Sequence, residues 1–411
     1  MRYSIIIKYF TLFLLFLLFK NLSAQNNFYS SGADELIGTN LEKVQNKNIA
    51  LVSNKTAILQ NGVHLIDALL NLKNIHIKKV FTPEHGFEGN FEAGALISDE
   101  GQSRDRIPFI SLYGKSKKPS AEDLKDIDLL VYDIQDLGVR FYTYISTLYY
   151  VIEAAAENNI KILILDRPDP LNGNIVNGPL LNDDELSFVG IQPLPILYGM
   201  TPGELSLFFN DRIFERTGTR AEIEIVKLKN WNRDSFLNEY GNKWVSPSPN
   251  IPDFETALVY PGTALLEGTN VSEGRGTYSP FLQIGAPFID GKLLLEKLNR
   301  EKIKGVKLSL ISFTPQSIKG MSERPKYLGQ QCGGISVKIT NPAEFNSVDF
   351  GINLVKTIQT LYPNKLKFNK HFEKLVGKSF YQNCFKKPYD CDYEKELNEF
   401  KKIRKKYLLY K

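Results

Sequence analysis

Five short apolar runs recur through the first part of the chain: Asn48 to Ser53 (NIALVS), Ile75 to Thr82, Ile107 to Tyr113, Asp128 to Tyr132 (DLLVY) and Lys161 to Leu165 (KILIL). Between them lie stretches with helical spacing, His64 to Leu72 (HLIDALLNL), a short one at Ser120 to Lys125 with Ser120 as cap, and a long one from Tyr142 to Asn158. Strands apolar on both faces and alternating with helices require a parallel sheet covered on each side. The expected fold class is therefore α/β, a Rossmann-like parallel sheet flanked by helices. No GxGxxG follows any of the strands and no GxxxxGK[ST] occurs. Dinucleotide and P-loop phosphate binding are disfavoured, and no cofactor is expected.

Further on, Thr201 to Arg216 opens with Thr as cap, Pro at the first helical position and Glu204 three residues later, a strong helix start. Ala221 to Leu228 alternates as a strand. From Trp231 to Pro261 the composition turns to Pro, Ser and aromatics, which places a junction near Phe254 to Gly262. Beyond it a second, smaller α/β C-terminal domain is expected, with helices at Gly291 to Asn299, Ser347 to Tyr362 and about Tyr393 to Tyr407, and strands at Val306 to Phe313 and Gly334 to Thr340. The first residues read differently. Arg2 and Lys8 precede an apolar run from Tyr9 to Phe19, and Leu22, Ser23 and Ala24 offer small residues for cleavage, the pattern of a secretory signal peptide. The run is shorter than the ~20 residues of a membrane span, and no Cys follows the cleavage point. The expected organisation is a signal peptide at 1–24, an extension at 25–47, a Rossmann-like domain at 48–255 and a C-terminal domain at 256–411. The mature protein is expected to be exported, periplasmic or extracellular, with no stable membrane anchor.

With 43% apolar and 24% charged residues in 411, there is material for two cores. The formal charge of +5 includes Arg2, Lys8 and Lys20, which depart with the signal, so no nucleic-acid partner is indicated. Lys365 to Lys411 holds 14 Lys or Arg against 6 Asp or Glu, the composition of a solvated basic helix face and one that an anionic polymer would attract. Cys332, Cys384 and Cys391 fit no zinc spacing; Cys384 with Cys391 is the short-loop option for a disulfide.

Polar groups cluster at the strand ends. In VFTPEHGFEGN (Val80 to Asn90) an apolar strand stops at Pro83 and delivers Glu84, His85 and Gly86 to the rim of the sheet. Asp133 follows the fourth run and Asp166 the fifth, so their carboxylates share that edge; each is also a natural turn or cap residue, the more so Asp166 beside Arg167 and two prolines. The other histidines, His64, His76 and His371, show no HExxH-type spacing, so no metal is expected and His85 is given an orienting role. In DIQDLGVRFYTY (Asp133 to Tyr144), Arg140 is a candidate for binding a carboxylate near a helix start. Tyr142 and Tyr144 offer flat surface with hydroxyl handles, or are simply core. LEGTNVSEGRGT (Leu266 to Thr277) is a Gly-rich polar loop carrying Glu267, Asn270, Glu273 and Arg275, and is the second domain's candidate contribution to a cleft.

Taken with PEHG (Pro83 to Gly86), YDIQDLGVRFYTYISTL (Tyr132 to Leu148), LDRPDPLNG (Leu165 to Gly173), NGPLL (Asn177 to Leu181), YGMTPGEL (Tyr198 to Leu205), SPNIPDFETALVYPGT (Ser248 to Thr263) and EGTNVSEGRGT (Glu267 to Thr277), the chain resembles the exo-β-N-acetylmuramidases of NamZ type. The resemblance covers nearly all of the mature chain. It implies an exported glycosidase that releases N-acetylmuramic acid from the non-reducing end of peptidoglycan fragments, with its site in the cleft between a Rossmann-like and a smaller domain, and no nicotinamide cofactor. It makes Glu84 the leading catalytic candidate. Glycoside cleavage needs an acid on the leaving oxygen and a second group at the oxocarbenium-like centre. Asp133, Asp136, Glu273 or the substrate's own acetamido group are the options for the second role. Arg140 or Arg275 is expected to meet the lactyl carboxylate, with Tyr142, Tyr144, Asn270 and Glu273 around the sugar. Two other classes compete: a Rossmann-type oxidoreductase, which the missing glycine fingerprint speaks against, and a non-catalytic binder of cell-wall fragments, which would not need an acid at Glu84.

Overall fold

A computed structural model of the protein describes residues 28–88, 103–104, 107–386 and 391–411. The expected signal peptide lies outside the described residues, as does most of the loop that follows Glu88.

The large sheet contains β1 (Asn48–Ser53), β2 (His76–Thr82), β3 (Ser103–Arg104), β4 (Ile107–Ser111), β5 (Leu129–Asp133), β6 (Lys161–Leu165) and β7 (Ile223–Val226), in the spatial order β3-β4-β2-β1-β5-β6-β7. β4, β2, β1, β5, β6 and β7 pair in parallel, and β3 adds an antiparallel edge. Numbered among the parallel strands alone, the order is 3-2-1-4-5-6, the Rossmann arrangement, whose direction of winding reverses between β1 and β5. Successive residues of a strand point to opposite faces, and the core divides on that rule. Ala50, Val52, Leu130, Tyr132, Ile162 and Ile164 pack on one side with the helices Tyr144–Asn158 and Pro202–Thr217. Ile49, Leu51, Leu129, Val131, Leu163 and Leu165 pack on the other with Gly32–Thr39 and Leu65–Leu70.

The small sheet is antiparallel, β8 (Gln283–Ala286), β9 (Val306–Phe313) and β10 (Cys332–Ile339), with β10 in the centre. The helices Gly291–Asn299 and Ser347–Leu361 lie against it, and their apolar residues join the same cluster as one face of the large sheet. Cys384 and Cys391 form a disulfide. Cys332 is free and buried, and burial pushes its thiol up to about 11, the wrong direction for a nucleophile.

Two expectations are corrected here. Ser120 to Lys125 forms turns rather than a helix: Ser120 does cap Asp123, but the next residues lead directly into β5. The Pro-rich stretch at the expected junction contains a buried helix, Phe254–Thr263, with Pro261 inside it. This helix crosses Ser347–Leu361 at glycine: a Cβ on Gly262 would sit 1.9 Å from Ser347 O, and one on Gly351 2.3 Å from Gly262 O. Gly262→Ala is expected to cost about 1–3 kcal/mol through overpacking, read as a lower denaturation midpoint. The chain end returns to the large sheet, where Tyr410 donates its hydroxyl to Asp166 at 2.5 Å and packs edge-on against Trp231.

Candidate active site

After β2, Pro83 ends the ladder and a turn closes by a 3.1 Å bond from Gly86 N to Pro83 O. Both His85 and Gly86 take left-handed backbone, each with φ of 72°. For histidine that conformation costs roughly 1–3 kcal/mol, and strain of this kind is retained where geometry matters. Glu84 and His85 are 8% and 7% exposed. The start of the long helix and the residues after β4 converge on Glu84. Thr143 stands at the start of the long helix but makes no capping bond with its side chain; instead its hydroxyl donates to Glu84 Oε2 at 2.6 Å. Tyr113 follows β4, and its phenol is pushed up by burial first and then by the charge and hydrogen bond of Glu84.

Glu84 and His85 line a cavity of about 310 Å³. Its apolar surface is a set of edge-to-face rings: Phe141 and Tyr142 lie 5.7 and 6.0 Å from Tyr260, which lies 4.8 Å from Phe281. Glu267, Arg275 and His371 contribute from the second sheet's side of the chain. Arg275 donates from Nε and Nη2 to Glu267 Oε1 at 3.0 and 2.6 Å, and its guanidinium rests 5.2 Å over Phe281. Burial pulls Arg275 down, but Glu267 and Glu273 outweigh it and raise it, so the charge is permanent. Burial holds His371 below the usual imidazole range, neutral at pH 7. Asn250, also in the lining, donates to Met321 O, while its Oδ1 is buried with no partner among the described residues. Among those residues no group of three His, Cys, Asp or Glu could hold a metal.

Residues 49–255 match the N-terminal domain of the exo-beta-N-acetylmuramidase NamZ family, and residues 258–410 match its C-terminal domain. The chain belongs to the NamZ family. It is 39% identical over 398 residues, 95% of this chain and 94% of the other, to the peptidoglycan beta-N-acetylmuramidase NamZ of Bacillus subtilis strain 168. Two crystal structures of DUF1343 family proteins from Bacteroides fragilis share the fold. One superposes with a TM-score of 0.84 at 30% identity, covering 94% of this chain and 100% of that one. The other has a TM-score of 0.74 at 33% identity, covering 93% and 99%.

The NamZ-type stretches do not all reach the cavity. Glu84, His85, Tyr142, Glu267 and Arg275 line it; the remaining candidates do not. Asp133 is fully buried at the end of β5 and bound by Arg167 through Nε at 2.5 Å and Nη2 at 3.0 Å, a structural ion pair. Arg140 is fully buried, donating to Pro179 O and Leu194 O at 2.6 Å and to Leu375 O, so it ties backbone segments together and offers nothing to a ligand's carboxylate. Tyr144 is core, its hydroxyl on Pro247 O at 2.5 Å. Asn270 braces its own loop against Lys365 O and Lys367 N. Glu273 is buried between Lys326 and Arg275. Asp136 is buried too; burial pushes it up to about 6, against the pull of Tyr198 O–H and Gly138 N–H. Asp166 accepts from Thr201 Oγ1 and Gly203 N at the start of the helix Pro202–Thr217 and is structural.

Sequence reasoning passed over Tyr113, Thr143, Tyr260, Phe281 and His371. Thr143 and Tyr260 lie inside the quoted stretches; Tyr113 and His371 carry no local signal, because only the fold brings them to the cavity.

Proposed function

We propose that this protein is an exo-acting glycosidase that releases N-acetylmuramic acid from the non-reducing end of peptidoglycan fragments, with Glu84 as the general acid in a cleft between the two domains. The observation that carries the reading is Glu84 itself: a nearly buried carboxylic acid, held by Thr143 and Tyr113, on the wall of a cavity whose aromatic rings suit the apolar face of a pyranose. Glu84 protonates the leaving glycosidic oxygen as the bond to C1 breaks, and water adds at C1 to complete hydrolysis. His85 shapes the turn that sets Glu84 in place. The reading assigns this chain the activity for which its Bacillus relative is named, with export directed by the N-terminal segment and muramyl saccharides from peptidoglycan as the substrates.

Arg275 takes the lactyl carboxylate that distinguishes muramic acid from glucosamine. A guanidinium has two edges that can grip a carboxylate. Glu267 occupies the edge of Nε and Nη2, which leaves Nη1, with no partner among the described residues, to the substrate. Glu267 is thus the positioning residue for lactyl recognition. Glu267→Gln is expected to raise KM for a muramide by about tenfold, roughly 1.4 kcal/mol, while kcat changes little; a fall in kcat at constant KM would instead place Glu267 in the chemistry.

The test of the function as a whole is a digest of purified glycan fragments that begin with N-acetylmuramic acid, followed by chromatography and mass spectrometry. Free N-acetylmuramic acid and a chain shortened by one residue are expected. Cleavage inside the chain, or none, would contradict the exo-muramidase reading.

A further inference from the structure

A second cavity lies apart from Glu84, over the carboxyl ends of β1, β5 and β6. This is where the winding of the sheet reverses, and open α/β sheets generally bind their ligands in the crevice at that point. It measures about 310 Å³, at the small end of the range for ligand sites. We propose that it is a second binding site for a neutral saccharide ring of N-acetylhexosamine size.

Two buried side chains in its lining have unspent polar atoms. Arg167, 4% exposed, commits Nε and Nη2 to Asp133, but Nη1 reaches only Ile58 O at 3.5 Å. Gln135, 7% exposed, spends Nε2 on Asp136 O and Pro168 O, while its Oε1 accepts from no described residue. One donor and one acceptor at the floor of a cavity match adjacent hydroxyls, or the N–H and C=O of an acetamido group. Tyr29 and Trp244 supply aromatic surface in the same lining. A sugar wants this combination of a few oriented polar atoms on apolar walls.

Charge and backbone argue against a nucleotide in the same place. Asp133 balances Arg167, and in the cavity wall the Asp34 carboxylate balances Lys243, so the charges around the cavity sum to zero and a phosphate meets no net positive charge. The helix after β1, where a dinucleotide would put its pyrophosphate, is capped by His64, which accepts from Ile66 N.

The proposal does not depend on Glu84. It is tested by isothermal titration of the purified protein with N,N′-diacetylchitobiose and, separately, with adenosine 5′-monophosphate. Gln60 is exposed on the cavity wall and uses only its backbone N–H, bonded to Asp34 Oδ1 at 2.7 Å, so Gln60→Trp can block the opening without removing a structural bond. Saturable binding of the disaccharide that weakens by at least ~10-fold in Gln60→Trp, with the thermal midpoint unchanged, is the expected result. No binding to the unmodified protein, binding that survives Gln60→Trp, or binding of the nucleotide in place of the sugar would each overturn it.

Discussion

Replacing Glu84 by Gln is expected to reduce kcat for muramide hydrolysis by about 10²- to 10⁴-fold, the usual contribution of a general acid, with muramyl ligands still bound. The amide preserves the size of the side chain and can still accept from Thr143 Oγ1, so the turn and the cavity wall should persist. What it lacks is a proton to give. Substrates with a good leaving group, such as nitrophenolate, need less protonation, so the loss should be smaller for the nitrophenyl glycoside than for the natural disaccharide. That graded loss separates an acid from a residue that merely shapes the cavity, for which both substrates would suffer alike. Turnover close to that of the unmodified enzyme on both substrates would remove Glu84 from the mechanism.

Asp133→Asn is expected to do the opposite, lowering stability and sparing chemistry. Asp133 and Arg167 are 0% and 4% exposed and bonded twice, and breaking a buried pair by neutralising one partner costs about 3–5 kcal/mol because the other charge is left unmatched. A reduced midpoint in chemical denaturation, with turnover per folded molecule retained within a few-fold, is the anticipated outcome. Normal stability with lost turnover would return Asp133 to the catalytic role its position in the sequence suggested.

The contrast between these two acids shows what could be read from the sequence. β1, β6, β9 and the helix Gly291–Asn299 have the bounds expected from apolar runs and caps alone; for β1 and β6, burial on both faces of a central strand leaves an unbroken signature. Phe254–Thr263 was masked by its own Pro261 and by the glycine that lets it cross Ser347–Leu361 closely, features that locally read as a loop. At the site, placing Glu84, Asp133 and Asp166 on one edge of the sheet followed from parallel topology. Which of them faces a cavity did not, since that depends on partners far away in the chain: Arg167 for Asp133, Thr201 and Tyr410 for Asp166, Thr143 and Tyr113 for Glu84. Arg140 misled for the same reason. A guanidinium in a polar motif suggests an anion, yet here three backbone carbonyls, one of them Leu375 O from beyond the second sheet, bind its two terminal nitrogens in a fully buried setting.

The most direct test of the account is the ratio of kcat/KM for 4-nitrophenyl β-N-acetylmuramide to that for the corresponding β-N-acetylglucosaminide, which differ only in the lactyl group. The account predicts efficient release of nitrophenol from the muramide and little from the glucosaminide, with the ratio collapsing in Arg275→Met. Equal turnover of the two glycosides, or a ratio unmoved by loss of Arg275, would contradict it.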